Sequence, residues 1–335
     1  MKAIEITGPT IDSLKTVEHP ELAAPGPGRI QVRMKSGSLN FADLAVATGN
    51  YPGAPFPNIA LADGAGEVVA VGKDVWQAAV GDRVAVHIKP RWIGGPATSE
   101  LANAMRGATL PGSLVEVIDI DASSVVKVSD RLSYEEIGTL PVAAMTAWRA
   151  LENGHVGPGS TVAILGTGGV SIFALQLAKA RGARVLITSS SDEKLERARA
   201  LGADVTVNYR TNPEWDQVAL AETNGVGVDL VVDPVGGEGF DKSLSAVKHG
   251  GTVALFGFLG GGAAGNMFAV IFKEIRIQGT NGGSVADLAA AVAAIEGAGI
   301  KPVIDKTFSL ADLTSAYELM AKGGHFGKIA ITFDW

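Results

Sequence analysis

The first 127 residues contain short runs in which apolar and polar positions alternate, separated by glycine and proline. A period of two places alternate side chains on opposite faces of a strand, so these runs predict short, largely antiparallel strands. The clearest examples are RIQVRMKSGSL, GEVVAVG, GDRVAVHI and SLVEVIDID.

The pattern changes from about residue 130. The segment LSYEEIGTLPVAAMTAWRAL has helical periodicity, and Ser133 followed by Glu136 predicts a capping box at its start. Apolar strands then alternate with helical segments of about ten residues, which is typical of βαβ units and a parallel sheet covered on both faces. The section from 279 onward predicts an Ala-rich helix, a helix around LADLTSAYELMAKGG and a final strand, GKIAITF.

Composition narrows the class of protein. A chain of 335 residues predicts two domains, and its net charge of −7, with no block of Lys or Arg, argues against nucleic-acid or membrane partners. The absence of cysteine excludes disulfides, thiolate chemistry and Cys-ligated zinc. The N-terminal MKAIEITGPTI lacks the apolar core of a signal peptide, and we expect a cytoplasmic protein.

The stretch TVAILGTGGVSIFALQLAKA contains most of a G-x-G-x-x-G motif between a predicted strand and helix, with Ser171 in place of the third glycine. The first glycine allows a tight turn, the second lets the backbone approach a pyrophosphate, and the helix N-terminus supplies free N–H groups. This stretch predicts a dinucleotide site formed by Gly166, Thr167, Gly168, Gly169 and Val170.

The end of the next strand indicates which nucleotide binds. NAD sites place an acidic residue there, about 20 residues after the first glycine, to hold the ribose 2′-hydroxyl. This chain has Ser189 and Ser190 there, with Lys194 following. Hydroxyls and a lysine suit a 2′-phosphate, so NADP is predicted, with NAD as the runner-up. Asp192 lies later, where it could cap a helix that begins at Glu193.

Two further loops follow predicted strands. Asp233 and Gly236 lie in VVDPVGG, and Gly257 and Phe258 lie in ALFGF. Because open α/β sheets bind ligands at the carboxyl ends of their strands, these four residues are also predicted to contact the cofactor.

At this point the chain resembles the medium-chain dehydrogenase/reductase superfamily. The resemblance covers nearly the whole chain, through SLNFADLAVATGNYP, DGAGEVVAVG, VGDRV, LPVAAMTAW, GTGGVSIFALQLAK, LGADVTVNY and GGHFGKIAI. It implies an α/β protein with a GroES-like, mainly antiparallel catalytic domain from residues 1–127 and 279–335. A Rossmann domain with a doubly wound parallel sheet would span residues 128–278. It also implies a homodimer or homotetramer, formed through KEIRIQGT.

Within that superfamily the chain resembles the zinc-free quinone oxidoreductases and enoyl reductases. Zinc alcohol dehydrogenases carry a catalytic cysteine near the position of Asn40 and a zinc-binding histidine at the position of Ala62. The cysteines of their structural zinc are missing as well. The five histidines are scattered without ligand spacing, so no metal is predicted.

The same resemblance implies roles for individual residues. Lys194 and Tyr209 would contact the 2′-phosphate, and Thr146 would lie against the nicotinamide. Asn40 and Tyr51 would line the substrate site.

We therefore predict a zinc-independent, NADPH-dependent oxidoreductase that transfers hydride to a small molecule, either an activated C=C bond of an enone or enal, or a quinone. The resulting charge delocalises and needs only hydrogen-bond donors, here Asn40 and Tyr51, with Tyr51 or water supplying the proton. Two alternatives stay open: a zinc-free alcohol dehydrogenase or carbonyl reductase, and a non-catalytic nucleotide-binding sensor or structural protein.

Overall fold

The computed structural model describes residues 1–257 and 265–335. The strands of these residues are β1 Lys2–Ile6, β2 Leu14–Glu18, β3 Arg29–Leu39, β4 Asn58–Ile59, β5 Gly64–Val71, β6 Arg83–Val86, β7 Val117–Asp121, β8 Val125–Lys127, β9 Thr161–Ile164, β10 Arg184–Ser189, β11 Val205–Asn208, β12 Val228–Asp233, β13 Val247–Leu255, β14 Arg276–Gly279, β15 Ile304–Phe308 and β16 Lys328–Thr332. The α-helices are α1 Phe41–Ala47, α2 Ser99–Asn103, α3 Tyr134–Ile137, α4 Met145–Asn153, α5 Gly169–Ala180, α6 Asp192–Ala200, α7 Trp215–Ala221, α8 Phe240–Ala246, α9 Met267–Phe272, α10 Val285–Gly297 and α11 Leu313–Lys322. Within the described residues, no helix has the length and apolar character needed to cross a bilayer.

The chain divides into two compact units. The first unit comprises Met1–Met145 and Gly283–Trp335, and the second comprises Thr146–Gly282. Our predicted boundaries lay at 127/128 and 278/279, so the first boundary falls 18 residues later in the structure (145 − 127). The reason is α3, which packs on β3, β5 and β16 and thereby joins the first unit.

The first unit contains two sheets. The larger has the strand order β15-β16-β3-β5-β6-β8, with β7 also paired to β3, and only the β15–β16 pair is parallel. The smaller sheet has the order β2-β1-β4. Because β16 pairs with β3, in the register Ile329↔Leu39, the C-terminal segment completes a sheet begun near the N-terminus. This is the predicted mainly antiparallel, GroES-like domain.

The second unit contains one parallel sheet with the strand order β11-β10-β9-β12-β13-β14. Counted from its first strand, β9, this order is 3-2-1-4-5-6, the order of a doubly wound Rossmann sheet. The direction of winding reverses between β9 and β12, and ligands bind such sheets outside the carboxyl ends of the strands at that point. The predicted Rossmann fold is confirmed.

One predicted helix, over residues 132–151, is broken into three pieces. The Ser133–Glu136 capping box starts α3 as predicted, but a π-helical turn over Leu140–Ala144 separates α3 from α4. Pro141 lies in that turn, and a proline lacks the N–H that a regular helix would use. The break leaves the N–H of Val142 free to donate to the Asp63 carboxylate at 2.9 Å.

Candidate functional site

The first polar centre forms where β3 ends and α1 begins. Asn40 has extended backbone at this junction and acts as the N-cap of α1. Asp43, in the first turn, accepts from the Asn40 backbone N–H at 2.8 Å through Oδ2 and from the Ala62 N–H at 2.8 Å through Oδ1. The carboxylate therefore ties the start of α1 to the segment that leads into β5.

Lys328, the first residue of β16, completes this centre. Its Nζ donates to the Leu39 carbonyl at 2.9 Å, to Asn40 Oδ1 at 2.6 Å and to Asp63 Oδ2 at 3.2 Å. The same Asp63 oxygen accepts from Ser38 Oγ at 2.6 Å and Asn40 Nδ2 at 2.9 Å. The Lys328 and Asp63 side chains are 3% and 0% exposed, so this is a fully buried ion pair. Below, the Lys328 cluster denotes Ser38, Asn40, Asp43, Asp63 and Lys328.

Burial in the cluster changes the acidity of one carboxyl. Loss of water, followed by repulsion from Asp63, raises the pKa of Asp43 to about 6, while the two backbone N–H donors and Lys328 oppose that rise. The Asp43 carboxyl therefore loses its proton at a higher pH than an exposed aspartate does.

Asn40 has less freedom than the sequence suggested. Its amide nitrogen donates to Asp63 and, at 3.3 Å, to Asp43, and its oxygen accepts from Lys328. Because both N–H directions are used, the side chain orients its neighbours and has no N–H to spare for a substrate oxygen. This geometry differs from the predicted donor role and favours a positioning role.

Tyr51 lies apart from this hydrogen-bonding network. Its hydroxyl approaches Met105 Sδ at 3.5 Å, and thioether sulfur is only a weak acceptor. Partial burial and then the Asp43 charge raise the pKa of Tyr51, so the phenol is protonated at neutral pH. Among the described residues, no hydrogen bond joins the two predicted catalytic side chains, Tyr51 and Asn40.

A second tyrosine is a residue that sequence reasoning missed. Tyr317 on α11 is fully buried, and its hydroxyl has no hydrogen-bond partner among the described residues. Burial and the Asp43 charge raise its pKa well above the usual value. Lys328 was missed as well, although a lysine opening the otherwise apolar strand KIAIT was a visible signal.

The second polar centre is the predicted nucleotide loop between β9 and α5. Gly166 has φ +74°, which favours glycine, and its N–H donates to Thr188 Oγ1 at 3.2 Å. Gly168 is the N-cap of α5, and no side chain caps that helix end. A Cβ added at either glycine would meet nothing within 4 Å, so the space beside the loop is open.

The other predicted residues of this loop lie between Gly166 and the first turn of α5. Thr167 is buried, while Gly169 and Val170 form the first turn of α5. Ser171 is turned inward, and its Oγ donates to the Leu165 carbonyl at 2.8 Å. An uncapped helix N-terminus beside open glycine backbone fits a dinucleotide pyrophosphate.

The carboxyl end of β10 holds the residues predicted for the 2′-phosphate. Ser189 ends β10 and is buried, Ser190 follows it, and the Ser189 carbonyl accepts from the Tyr209 N–H at 3.0 Å. The Tyr209 side chain is well exposed, and Lys194 lies in the first turn of α6. β10 and β11 are neighbouring parallel strands, so Ser189, Ser190 and Tyr209 lie at the same edge of the sheet, and Lys194 lies in the helix that follows β10.

The expectation for Asp192 needs a correction. Ser191, rather than Asp192, is the N-cap of α6, and its Oγ accepts from the Lys194 N–H. Asp192 is the first residue of the helix, and its carboxylate accepts from Asn208 Nδ2 at 2.8 Å. The acid is therefore paired with a neighbouring side chain.

In the loops after β12 and β13, Asp233 and Gly257 each have a role in the loop's own structure. Asp233 accepts from the N–H groups of Val235 and Gly236 and from Ser243 Oγ, so its carboxylate holds its own loop together. A Cβ at Gly257 would lie 1.6 Å from the Pro234 carbonyl oxygen, so no other residue fits there. Thr146 is buried near the start of α4, and Phe258 lies outside the described residues.

The Rossmann order and the open glycine loop define the second unit as a nicotinamide dinucleotide-binding domain, joined to a GroES-like domain in the manner of dehydrogenases. The family descriptions that match are the alcohol dehydrogenase GroES-like domain, over residues 26–130, and the zinc-binding dehydrogenase, over residues 169–297. A zinc-type alcohol dehydrogenase-like protein of Schizosaccharomyces pombe is 38% identical over 339 residues, covering 98% of this chain and 97% of its own. The chain belongs to the medium-chain dehydrogenase/reductase superfamily and is an oxidoreductase of that family.

Two solved structures show the range of activities among similar proteins. An NAD-dependent alcohol dehydrogenase is 31% identical with a TM-score of 0.89, covering 99% of this chain and 100% of that chain. A quinone oxidoreductase of Pseudomonas syringae pv. Tomato DC3000 is 29% identical with a TM-score of 0.82, covering 99% of each chain.

Proposed function

We propose that the protein is a zinc-independent, NADPH-dependent oxidoreductase that reduces an activated C=C bond of an enone or enal, or a quinone. The observation that carries this proposal is the position of the Lys328 ammonium. It forms three hydrogen bonds at the place where, by resemblance, Asn40 and Ala62 replace the two zinc ligands. A buried cation of the protein's own thus balances the carboxylate charge there.

The donor set around that ammonium does not fit zinc. Protein zinc sites use cysteine, histidine and carboxylate ligands in a tetrahedral arrangement. Ala62 offers none, and the Asp43 and Asp63 oxygens already accept from N–H groups and Lys328. Across residues 1–257 and 265–335, no group of three or more histidine, aspartate or glutamate side chains is arranged to share a metal.

Chemistry without a metal favours an acceptor whose charge delocalises. The cofactor, when bound, supplies hydride from nicotinamide C4. Addition of hydride to an enone or a quinone gives an enolate or hydroquinone anion that a hydrogen-bond donor can stabilise. Tyr51 is protonated and touches only a weak acceptor, so its proton can pass to the substrate oxygen. Asn40 acts as a positioning residue.

The test is NADPH oxidation with enals, enones, quinones and ketones, with NADH for comparison and with metal content measured on the same sample. We expect turnover with enones or quinones that survives chelation and is not raised by added zinc. Loss of activity after chelation and its return with zinc would overturn the zinc-independent assignment. Turnover of simple alcohols with NADP⁺, without any turnover of enones or quinones, would establish the alcohol dehydrogenase alternative. If no acceptor received hydride, the protein would be the non-catalytic alternative.

The role of Tyr51 has a matched control within the same unit. Tyr51→Phe should lower kcat/KM by at least about tenfold, because a positioned proton donor is lost. Tyr134→Phe removes another phenol of the first unit, one that contacts Glu67 at 3.4 Å, and should leave kcat/KM unchanged. If Tyr51→Phe and Asn40→Ala both kept full kcat/KM, the assignment of these two residues would be wrong.

The preference for NADP rests on Ser189, Ser190, Lys194 and Tyr209. They lie at the carboxyl ends of β10 and β11 or in the first turn of α6, and no acidic residue stands at the position of Ser189. Lys194→Ala should lower kcat/KM for NADPH about tenfold while that for NADH stays constant. Arg199→Ala, on the outer part of the same helix, is the charge-matched control. Equal loss with both cofactors would contradict a 2′-phosphate contact.

Self-association is part of the proposal. Strand β14 is the edge of the parallel sheet and is exposed along its whole length, and Phe268, Ile271 and Phe272 on α9 are each about 70% exposed. An unpaired edge beside such an apolar surface suits pairing with a second copy of the chain. Ile271→Asp should convert a dimer or tetramer to smaller species in analytical ultracentrifugation, whereas Trp76→Asp, at a lone exposed aromatic, should not.

A further inference from the structure

A groove with a volume of about 320 Å³ lies on the first unit and has no place in the proposed chemistry. Its walls are largely apolar and come from β4, β7 and the loop around residues 106–115. The apolar side chains that line it include Leu22, Ile59, Leu110, Val115, Val117 and Ile118.

One buried cation faces this apolar groove. Arg106 lines it and is only 7% exposed. Its Nε donates to the His87 carbonyl at 3.3 Å, which anchors the side chain. Among the described residues, its terminal nitrogens donate no hydrogen bond, and no carboxylate oxygen forms an ion pair with the guanidinium within 4.0 Å.

The terminal nitrogens of Arg106 are also open to the groove. Some side-chain nitrogen and oxygen atoms of the described residues are fully buried and have no partner, but the Arg106 terminal nitrogens are not among them. They therefore keep exposed surface that a ligand can reach. Burial, and then repulsion from Arg29, lowers the pKa of Arg106 to about 10, which shows how poorly the protein itself compensates this charge.

The acidic side chains nearby are already paired. Asp119, which lines the groove, accepts from Arg29 Nε and, at 3.4 Å, from Gln31 Nε2. Asp121 accepts from Arg29 Nη1 at 3.1 Å and attracts Arg106 only from beyond ion-pair distance. Arg106 is thus the groove's one side chain, among those described, with charged donors to spare.

We propose that this groove binds an anionic amphiphile, namely a carboxylate carried on an aliphatic or aryl body. The carboxylate pairs with the terminal nitrogens of Arg106 in the two-bond geometry that guanidinium favours, and the body covers the apolar walls. The site is independent of the proposed hydride transfer.

The test uses octanoate as the probe, measured by isothermal titration calorimetry on the full chain. We expect saturable binding at one site, at least about tenfold tighter than that of 1-octanol or of acetate. The reason is that 1-octanol lacks the carboxylate that pairs with Arg106, and acetate lacks the apolar body that covers the groove walls. No saturable binding of octanoate, or equal binding of 1-octanol, would overturn the proposal. Equal binding of acetate would mean an anion site without an apolar part, which would also overturn the stated ligand class.

Variants locate the site. Arg106→Gln should weaken octanoate binding at least about tenfold, whereas Arg91→Gln removes an exposed arginine that lies between β6 and α2, outside the groove lining, and should change nothing. Because Arg106 is buried, its variant could fail to fold. Leu22→Asp, at a position that is 37% exposed, places a carboxylate at the groove and should abolish binding in a folded protein. Unchanged binding in Leu22→Asp would place the octanoate elsewhere and refute the site.

Discussion

The Lys328 cluster and the glycine loop before α5 both gather polar groups, but they use them differently. In the cluster, both oxygens of Asp43 and Asp63, the Asn40 amide and the Lys328 ammonium all have partners within the protein. In the loop, Gly166 and Gly168 face open space and the end of α5 lacks a side-chain cap. One centre is satisfied before any ligand arrives, and the other leaves its donors for a ligand.

This difference indicates what each centre contributes. Satisfied, buried groups are costly to disturb, so the cluster should hold the start of α1 and the segment around Ala62 in fixed positions. Open backbone donors cost little in water and gain their partners only when an anion binds. Substitutions in the cluster should therefore act mainly on stability, and substitutions in the loop mainly on binding.

The largest expected effect is on the cluster. Lys328→Met leaves Asp63 as a buried carboxylate without its ion pair and should lower the free energy of unfolding by about 3 to 5 kcal/mol. Urea denaturation measures this loss, with Lys322→Met, at a position 75% exposed, as the control. Lys328→Met combined with Asp63→Asn should recover part of the loss. A loss below about 1 kcal/mol in the single variant would mean that the pair is not a fixed element of the fold.

The next effect is a pH dependence with two opposed contributions. The pKa of Asp43 is raised to about 6, so the folded state binds more protons and stability from this group falls by about 3 kcal/mol as pH rises from about 4 to 6. Burial lowers the pKa of His87 to about 4, so the unfolded state binds more protons there and this group's contribution rises by a similar amount between about pH 4 and 6.5.

Variants separate these two contributions. Relative to wild type, Asp43→Asn should gain stability as pH rises through this range, and His87→Gln should lose it. Urea denaturation at several pH values gives both differences, in which the other titrating groups cancel. Curves parallel to that of the wild type would show that neither group titrates differently on folding.

A smaller effect distinguishes the loop. Gly168→Ala should leave the free energy of unfolding within about 0.5 kcal/mol, because the added methyl group meets no atom within 4 Å. It should weaken NADPH binding about 10- to 100-fold, since the methyl group occupies the space where the pyrophosphate would approach the backbone. Fluorescence titration measures the binding. Full affinity in this variant would place the pyrophosphate elsewhere.

The smallest effect compares two serines. Ser38→Ala removes a buried donor to Asp63 and should cost about 1 to 3 kcal/mol in stability. Ser190→Ala, just after the carboxyl end of β10, should cost less than about 0.5 kcal/mol. Thermal denaturation compares the pair, and equal costs would show that Ser38 stabilises the fold no more than a serine outside the cluster.

Much of the fold was predictable because it depends on local pattern. Alternation along RIQVRMKSGSL predicted the sheet of the first unit, and the strand–helix order after residue 160 predicted the second unit. The glycine loop was predicted from its glycine spacing together with the apolar strand before it and the helix after it. The Ser133 capping box was equally legible. The break at Pro141 was not predicted, because the helical period continues across it.

The candidate site was only partly predictable. Asn40 and Tyr51 were selected by resemblance, but nothing in the sequence shows that Lys328, 288 residues away, donates a hydrogen bond to the Asn40 side-chain oxygen. Hydrogen bonds of that range depend on the pairing of β16 with β3, which is a property of the tertiary fold. The sequence also does not show that the Asp233 carboxylate accepts from Val235, Gly236 and Ser243 and so holds its own loop together; its contact with the cofactor stays a prediction.

The pairing of β16 with β3 has a consequence for biosynthesis. Residues 146–282 form an uninterrupted stretch of chain, so the second unit can fold as soon as that stretch leaves the ribosome. The first unit cannot do so, because its early strands wait for β16 while Asp63 has no counter-charge. A nascent chain should therefore carry a folded second unit and an incomplete first unit until β16 has been made, and during that interval it should depend most on chaperones.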